Sequence, residues 1–331
     1  MNNRVLIVRL GAYGDVIITT PLVRKLHEDA MDIIYLTSER GMEVLKGSPY
    51  IKKLILHPKD SVPIEKLGDH IKQIAKKHQC ERIIDLCESI EVALSLHPRS
   101  PEYNLPKYER RAKFERNFYE YTFEFAKEDH YGALLPDLFF DDKETKEAQS
   151  YLKPGFNLLV GMSGSGTNKT YPWTEALCGT IMKEFGDKVH IITVGDERCQ
   201  IIEPIGPTIT NLSGKIPMRI AMCLTGLVDC VISPDTGLLH AAGCYQTPKI
   251  GLLGHNTKEV ITKHFLNDYS VESDENLAEC SPCFRLIYSM KLQCPIDPNT
   301  GGAYCMSKGI RPELVYEKFK QVYEKVKSDK S

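Results

Sequence analysis

A short apolar run that ends in glycine and leads into a helical pattern constrains the fold most. Arg4-Val-Leu-Ile-Val-Arg-Leu10 is such a run, and Gly11 follows it. Continuous apolar strands are typical of parallel sheets that are covered on both faces. Strand-like runs then alternate with helical segments, which predicts a doubly wound α/β unit. The predicted strands are Arg4–Leu10, Ile33–Leu36, Leu54–Leu56 and Arg82–Leu86, and the predicted helices are Asp15–His27, Ile64–Lys77 and Lys107–Lys127.

The same pattern starts again in the second half of the chain, where Phe156–Gly161 is another apolar strand that ends in glycine. Two similar units are therefore predicted, residues 1–150 and 151–331, joined by a charged linker over Asp141–Pro154. A last helix is predicted over Pro312–Lys327. The other predicted elements of the second unit are strands at Val189–Val194, Asp229–Ile232 and Pro248–Leu253, and helices at Thr174–Phe185, Pro217–Thr225 and Thr236–Cys244.

The composition excludes several classes of protein. Hydrophobic residues make up 42% and charged residues 26% of the 331 residues, which is typical of a globular chain. The formal net charge is −2, which disfavours a nucleic-acid binder. No apolar run is long enough to span a membrane, and no signal-type segment is present, so we expect a cytoplasmic protein with at most peripheral contact at the inner membrane face.

Four of the 11 cysteines form a spaced cluster near the C-terminus. Cys280-Ser-Pro-Cys283 is a C-x-x-C turn, and Cys294 and Cys305 follow in a segment rich in proline and glycine. Four thiolates can complete a closed tetrahedral metal site, so the spacing predicts a structural metal ion. Four reduced thiols are the alternative. The other seven cysteines are scattered, and we expect them to fill space in the core.

Gly11-Ala-Tyr-Gly-Asp15 joins the first strand to the first helix. Glycines such as Gly14 allow a ligand to approach the backbone, and a helix N-terminus favours anions. Asp15 has two compatible interpretations, as the N-cap of a helix that begins at Val16 or as an acid–base group. Neither the G-x-G-x-x-G nor the P-loop fingerprint is present, so a dinucleotide or P-loop site lacks its motif.

A second glycine-rich loop, Gly161-Met-Ser-Gly-Ser-Gly-Thr-Asn-Lys-Thr-Tyr-Pro-Trp173, follows the first strand of the second unit. Its hydroxyl groups, backbone N–H groups and Lys169 suit phosphate oxygens. A flexible polar loop is the alternative. The candidate phosphate-binding residues here are Ser163, Ser165, Thr167 and Lys169.

A third segment, Ser233-Pro-Asp-Thr-Gly-Leu-Leu-His240, follows another apolar strand. The carboxyl end of a strand is the usual ligand crevice of α/β folds, although a single histidine is more often packed than functional. The candidates in this segment are Asp235, Thr236, Gly237, Leu238 and His240.

Two charged stretches carry weaker signals. Asp141-Asp142 could suggest a metal–diphosphate pair, but its position in the charged linker favours a solvated loop. The segment around residues 99–116, which begins at Arg99 and includes Arg110 and Arg111, is basic and aromatic. A solvated helix face is the simpler interpretation, and a surface for an anionic acceptor is the sharper one.

Taken together, these motifs resemble glycosyltransferase family 9, the lipopolysaccharide heptosyltransferase-like family. Val5–Pro21 is similar to the family's opening strand, Gly-Asp and helix, and Asp235-Thr-Gly-Leu-Leu-His240 is close to its Asp-Thr-Gly-x-x-His segment. Lys169-Thr-Tyr-Pro-Trp173 resembles its Lys-x-Trp-Pro element, with the order of Trp and Pro reversed. The resemblance covers nearly the whole chain.

The resemblance implies a GT-B fold, in which two Rossmann-like domains face a cleft. The N-terminal domain would hold the acceptor, the C-terminal domain would bind the nucleotide sugar, and the last helix would return to the first domain. It also implies inverting transfer, without a catalytic metal, of a sugar such as heptose from ADP-heptose. The acceptor would be a hydroxyl group of a glycan, a lipopolysaccharide or a protein.

Within the resemblance, Asp15 matches the position of the family's proposed base, and Asp235 and His240 match positions that bind the donor. The cysteine cluster resembles that of a subgroup that glycosylates autotransporter proteins and contains a structural iron. The four-cysteine ligand set by itself favours zinc, whereas the resemblance favours iron, so both metals remain candidates. The alternatives to a transferase are a non-catalytic nucleotide-sugar-binding protein and a UDP-sugar epimerase of the same fold.

Overall fold

The computed structural model describes residues 3–87, 89–90, 96, 100–285 and 294–330. Within these residues the chain forms two parallel β-sheets, each with helices packed on its faces. The sheets follow one another along the sequence, as the repeated strand–glycine pattern predicts.

The first sheet contains β1 (Arg4–Arg9), β2 (Asp32–Thr37), β3 (Ile51–Leu56) and β4 (Arg82–Asp85). Its spatial order is β3–β2–β1–β4, and all three pairings are parallel. The apolar residues of β1 are fully buried because helices cover both faces of the sheet. The helices of this part are α1 (Tyr13–Ile17), α2 (Thr20–Glu28), α3 (Glu39–Leu45), α4 (Ile64–Lys77), α5 (Lys107–Phe114), α6 (Phe118–Ala126) and α7 (Asp142–Gln149).

The second sheet contains β5 (Phe156–Gly161), β6 (Val189–Val194), β7 (Ile209–Asn211), β8 (Cys230–Pro234), β9 (Lys249–Leu253) and β10 (Val271–Glu272). Its order is β10–β9–β8–β5–β6–β7. The two short edge strands, β7 and β10, were not predicted, because runs of two or three residues give no clear periodicity. The helices here are α8 (Thr174–Phe185), α9 (Met218–Leu224), α10 (Gly237–Ala242), α11 (Lys258–Ile261), α12 (Tyr304–Ser307) and α13 (Pro312–Lys330).

Two segments that were predicted as single helices are each divided in two. The first helix breaks after Ile17 and restarts at Thr20. The segment Lys107–Lys127 breaks before Asn117, whose side-chain oxygen accepts hydrogen bonds from the N–H groups of Tyr119 and Glu120. Asparagine is a strong N-cap residue, so this side chain starts α6 as a new helix.

The linker is also more ordered than predicted. Asp141 caps α7 by accepting a hydrogen bond from the Glu144 N–H group, and Asp142 begins the helix, so neither aspartate lies in a solvated loop. Ala148 of α7 is buried in the apolar cluster of the second sheet. The linker therefore packs on the second unit through a helix.

The last helix, α13, packs on the second unit, which corrects the expectation that it returns to the first domain. Phe319 and Tyr323 pack against Phe156 of β5 and Phe185 of α8, with ring centroids 4.5–5.7 Å apart. These aromatic residues bury the apolar face of α13 where the chain leaves the second sheet. The family resemblance implied that the last helix returns to the first domain, whereas these contacts all lie in the second unit.

The two units share an apolar core. The cluster that covers one face of the first sheet continues through Leu239, Val260 and Phe265 of the second unit. A buried arginine adds polar contacts, since Arg219 of α9 pairs with Glu144 and donates to backbone carbonyl groups of the first unit. No helix in the described part of the chain is both long and apolar enough to cross a membrane.

Candidate functional site

A cavity of about 570 Å³ lies between the two units, at the carboxyl ends of their strands. Residues Ala12–Asp15 line it from the first unit, and the glycine-rich loop with Lys169 lines it from the second. The segment that begins with Asp235 forms its floor next to α10. The cavity occupies the crevice where ligands of α/β sheets usually bind.

Asp15 lies in the first turn of α1, on the first-unit wall. One carboxylate oxygen accepts a hydrogen bond from the Ala12 N–H group at 2.7 Å, so Asp15 caps the helix from its third position, while Ala12 is the N-cap residue. The other oxygen lies 3.5 Å from the guanidinium group of Arg9. The side chain keeps 25% of its surface exposed. A carboxylate has about four acceptor positions, so these contacts leave capacity for a substrate hydroxyl group.

Two glycines allow the units to approach closely beneath the cavity. A Cβ on Gly14 would lie 3.0 Å from the His240 ring, and one on Gly237 would lie 2.7 Å from the Tyr13 Cβ. Side chains at either glycine would force α1 away from α10. Gly14 and Gly237 therefore bring the Asp15 wall next to the Asp235 wall.

The glycine-rich loop is an ordered turn. Ser163 and Thr170 form an antiparallel bridge, and the Gly164 N–H group donates to the Lys169 carbonyl oxygen at 2.8 Å. This turn directs Lys169 inward, where its ammonium group lies 3.1 Å from Asp235. The order replaces the alternative of a flexible loop.

Asp235 is the centre of a buried polar cluster. Its carboxylate lies 3.1 Å from Lys169, 3.4 Å from His240 Nε2 and 3.5 Å from His255 Nε2. Burial raises the pKa of Asp235, but the Lys169 charge and the His240 contact outweigh burial and hold it well below its ordinary value. Asp235 is therefore an anion across the working pH range.

Sequence reasoning missed two residues of this cluster, His255 and Asn256, which follow β9 and line the cavity. The Asn256 amide lies 3.4 Å from Asp235 and 3.2 Å from His255 Nε2. Burial, with the nearby Lys169 charge, lowers the pKa of His255 to about 4, so this ring is neutral near pH 7. Their position directly after a strand of the sheet was the available signal.

Asp196 and Arg198 are further missed residues of the cavity, and they follow β6 in the same way. Their side chains pair with each other at 2.9 Å and stay exposed at the rim. On the first-unit side, Arg40 also lines the cavity and lies over the Tyr13 ring at 5.8 Å. The cavity rim therefore carries cations on both sides.

Most of the predicted site residues meet at the cavity. Thr167 is the exception, because it does not line the cavity within the described residues. Ser163 lines it, but its hydroxyl group also contacts the Cys199 sulfur at 3.0 Å. The predicted residues that do line the cavity are Gly14, Asp15, Ser163, Ser165, Lys169, Asp235, Thr236, Gly237, Leu238 and His240.

A second hollow, of about 720 Å³, lies beside α6 and contains none of the predicted residues. Acidic side chains dominate its lining, and several of them already pair with cations, as Glu120 does with Lys263. None of the residues that line this hollow was predicted as a catalytic or donor-binding residue, and none of them lines the first cavity.

Burial raises the pKa of Cys294 and of Cys305, and the charges of the neighbouring cysteines of the cluster raise it further. Cys305 is buried, Cys280, Cys283 and Cys294 are half-buried, and burial raises the pKa of all four thiols. Within the described ranges, no three His, Cys, Asp or Glu side chains are positioned to hold a metal ion together. Of the other seven cysteines, four are buried and three are half-buried.

The basic segment differs from the solvated face that was predicted. Arg110 is only 5% exposed, and it donates to the carbonyl oxygens of Cys283 and Leu105. Arg111 and Lys107 pair at 2.7 Å with Glu275, five residues before the loop of residues 280–305 that carries the four cysteines (the cysteine loop). The segment therefore fastens the cysteine loop to the first unit, while Arg99 lies outside the described residues.

Two facing parallel sheets with a polar cavity between them define the GT-B class of glycosyltransferase fold. The chain belongs to glycosyltransferase family 9 (heptosyltransferase), whose family model matches residues 67–292, more than half of its length. It is therefore a glycosyltransferase. A comparison with curated protein sequences finds no match.

Solved structures of heptosyltransferases and related enzymes share the fold. A family 9 glycosyltransferase from Veillonella parvula superposes with a TM-score of 0.68 at 15% identity, covering 98% of this chain and 99% of its own. The E. coli ADP-heptose lipopolysaccharide heptosyltransferase II gives 0.66 at 14% identity, covering 97% and 99%. The iron-containing dodecameric glycosyltransferase TibC from enterotoxigenic E. coli gives 0.62 at 11% identity, covering 98% and 77%.

Proposed function

We propose that this glycosyltransferase moves a heptose from ADP-heptose to an acceptor hydroxyl group, with inversion at the anomeric carbon. The observation that carries the proposal is one cavity with a partly exposed carboxylate, Asp15, on one wall and the Lys169–Asp235 cluster on the other. The ADP-heptose donor is suggested by a related structure, that of TibC, which was solved with ADP-D-beta-D-heptose. The acceptor would be a glycan, a lipid-linked sugar or a protein.

Asp15 is the proposed general base. The acceptor oxygen attacks the anomeric carbon as its proton passes to an Asp15 carboxylate oxygen, while the bond from that carbon to the diphosphate oxygen breaks and ADP leaves. A base that takes the proton during attack makes the hydroxyl group a better nucleophile. Attack from the side opposite the leaving group inverts the anomeric centre.

Lys169 is proposed to neutralise the leaving diphosphate. A diphosphate gains negative charge as the sugar bond breaks, and a fixed cation stabilises that charge. Ser165, Thr236 and Gly237 also line the cavity, and the Ser165 hydroxyl group and the backbone N–H groups of the other two are proposed as further hydrogen-bond donors. This assignment uses protein groups throughout, so the proposed transfer needs no catalytic metal.

The remaining donor contacts are assigned to the Asp235 cluster. Asp235 accepts hydrogen bonds, so its role is to bind sugar hydroxyl groups and to hold Lys169 in place. His240 and Leu238 complete the floor of the cavity, and Gly14 and Ser163 shape its edges.

The proposal is tested by a donor and acceptor screen on the purified protein. We expect ADP-heptose to raise the melting temperature more than UDP-sugars do, because a ligand that binds the native state stabilises it. Transfer to a glycan or protein acceptor should release one ADP per sugar, and NMR of the product should show the inverted anomeric configuration. Release of a free epimer without acceptor would indicate an epimerase, and donor binding without turnover would indicate a sensor.

We also propose that Cys280, Cys283, Cys294 and Cys305 hold one structural iron or zinc ion. Four sulfur donors from one loop suit either metal and leave no open position for substrate. When bound, the ion would cross-link the loop and keep the thiols deprotonated.

The surroundings of Arg110 support a negatively charged metal–thiolate cluster at the four cysteines. Arg110 is buried, and the described residues give it carbonyl partners but no carboxylate. A buried, uncompensated guanidinium is costly. Four thiolates around a divalent ion carry a net charge of about −2, which would offset Arg110 and the neighbouring Arg285.

Elemental analysis and thiol alkylation test the metal. We expect about one iron or zinc per chain, and slow alkylation of the four cysteines until a chelator is added. Cys294→Ser should lower the metal content and the melting temperature, whereas Cys178→Ser, which removes a buried thiol of α8, should leave the metal content unchanged. Less than about one-tenth of a metal atom per chain, with four freely alkylated thiols, would contradict the proposal.

A further inference from the structure

One buried tyrosine connects the first unit to the donor side of the cavity. Tyr119 of α6 is completely buried, and its hydroxyl oxygen lies 2.9 Å from Nδ1 of His240 in α10. His240 is only 3% exposed, and its other ring nitrogen, Nε2, faces Asp235 at 3.4 Å. A continuous polar chain therefore runs from the first unit to Asp235.

The surroundings hold the tyrosine ring in one place. Asn117, two residues earlier, caps α6 and donates its amide hydrogens to the carbonyl oxygens of Glu259 and Val260 in the second unit. Phe265 packs edge-on against both the Tyr119 ring and the His240 ring, at 5.9 and 6.1 Å. The hydroxyl group thus has a fixed partner.

The direction of each hydrogen bond follows from the chemistry of Asp235. Asp235 is an anion and can only accept, so the His240 Nε2 that faces it carries the hydrogen. A neutral imidazole with its hydrogen on Nε2 has an acceptor at Nδ1. Tyr119 must then donate its O–H to Nδ1, and burial keeps that hydrogen in place by raising the pKa of Tyr119 far above its usual range.

We propose that Tyr119 is a positioning residue: its hydroxyl group fixes the His240 tautomer with Nε2–H directed at Asp235, so that the first unit completes the donor-binding site of the second. This inference rests on the proposed function of the Asp235 cluster in donor binding. Without the hydroxyl group, the hydrogen on His240 can move to Nδ1, and Asp235 loses a donor.

Replacing Tyr119 by phenylalanine tests the inference, because it removes one oxygen and keeps the ring. We expect Tyr119→Phe to weaken ADP binding in calorimetry about tenfold, the usual size of one lost buried hydrogen bond. The Michaelis constant for the donor should rise more than kcat falls. Tyr35→Phe is the matched control, since Tyr35 is also fully buried and its hydroxyl group contacts Thr19 at 2.7 Å, in the core of the first unit. The control should leave ADP binding unchanged.

The tautomer is measured directly by NMR on protein with ¹⁵N-labelled histidine, at a pH where the ring is neutral. His240, assigned by its loss in His240→Gln, should show a protonated Nε2 and an unprotonated Nδ1. Tyr119→Phe should shift these resonances toward a mixture of tautomers. This measurement needs no ligand, so it separates failure of this inference from failure of the proposed donor.

A double-mutant comparison distinguishes a specific effect through His240 from a general loss of stability in the Tyr119→Phe variant. In a His240→Gln background, Tyr119→Phe should have no further effect on ADP affinity, because the tyrosine acts through the histidine. The inference is overturned if wild-type His240 carries its hydrogen on Nδ1. Equal ADP affinity in wild type and Tyr119→Phe, or an equal loss in both backgrounds, would also overturn it.

Discussion

Asp15 and Asp235 face the same cavity from opposite units, but they differ in solvent exposure and in the number of side chains around the carboxylate. The Asp15 side chain is 25% exposed and has one cation, Arg9, at 3.5 Å. The Asp235 side chain is 6% exposed and is enclosed by Lys169, His240 and His255 within 3.5 Å. One carboxylate meets solvent and the other is sealed in a polar cluster.

The contrast assigns different work to the two walls. A carboxylate that reaches solvent can exchange a proton with a substrate, which a general base must do. A buried carboxylate held beside a cation stays charged and serves to bind and orient. The first unit is thus suited to proton transfer and the second to holding the donor.

The largest expected effect sharpens the Asp15 side of this contrast. Asp15→Asn keeps the helix-capping oxygen but removes the base, and we expect kcat to fall between about a hundredfold and ten-thousandfold. Steady-state transfer kinetics measure this. Asp274→Asn is the control, because Asp274 also accepts a backbone N–H group, that of Asn276 at 2.9 Å, but lies outside the cavity. Full activity in Asp15→Asn would leave only the capping role.

Removing the sealed carboxylate should instead destabilise the protein. Asp235→Asn leaves Lys169 facing an amide inside the cluster, and breaking a largely buried pair costs about 3 kcal/mol. Denaturant unfolding measures the difference. The exposed pair Lys25–Asp29, at 2.5 Å, provides the comparison, and Asp29→Asn should cost less than about 1 kcal/mol. Equal costs for both substitutions would remove the distinction between a sealed and an open aspartate.

A second largely buried and paired carboxylate, Glu144, tests whether burial and ion pairing alone account for the expected contribution of Asp235 to stability. Its hydrogen bond with Arg219 lowers the pKa of Glu144 to about 2. A lowered carboxylate pKa stabilises the fold above the unfolded value, about 4.3, and the benefit disappears as the pH falls toward 2. With partial solvent access, the pair is worth about 2 kcal/mol near neutral pH.

The measurement is the free energy of unfolding of wild type and Glu144→Gln at pH 6 and pH 3. We expect the gap between the two proteins to shrink at the lower pH, since below about pH 4.3 the unfolded wild-type chain binds a proton at Glu144 that the folded state does not yet bind. A gap that is independent of pH would show that Glu144 contributes through packing and not through its charge.

The smallest expected effect belongs to Lys46, which also pairs with Glu144, at 2.6 Å, but has a side chain that is 55% exposed. Exposed ion pairs contribute little because water and salt screen them. Lys46→Gln should change the melting temperature less than Arg219→Gln, and the remaining change should vanish in high salt. A larger effect for Lys46 than for Arg219 would contradict this order.

The sequence predicted most of the fold where local signals were strong. The helices Ile64–Lys77 and Thr174–Phe185 begin and end as predicted, because their apolar periodicity is clear and because Pro63 precedes the first and Gly186 follows the second. The break at Asn117 was readable as an N-cap signal, but the aromatic and charged run around it resembled one continuous helix. The packing of α13 on the second unit depends on distant aromatic partners, which no local pattern reveals.

The candidate site was predictable to the extent that it lies in continuous motifs. Asp15, Lys169 and His240 each lie in a short motif that contains a glycine and follows a strand. His255 also follows a strand and a glycine, Gly254, so a signal for it was present although it was missed. Tyr119 carries no such signal, because it joins the site only when α6 folds against α10. Its role is set by tertiary contacts, which lie beyond sequence periodicity.

The most direct test of the division of labour is calorimetric titration of ADP into Asp15→Asn and Lys169→Ala. The account predicts that Asp15→Asn binds ADP with wild-type affinity, since the base acts on the acceptor, and that Lys169→Ala binds about tenfold or more weakly, since it lacks the cation for the diphosphate. Weakened ADP binding in Asp15→Asn, or unchanged binding in Lys169→Ala, would contradict the assignment of proton transfer to one wall and donor binding to the other.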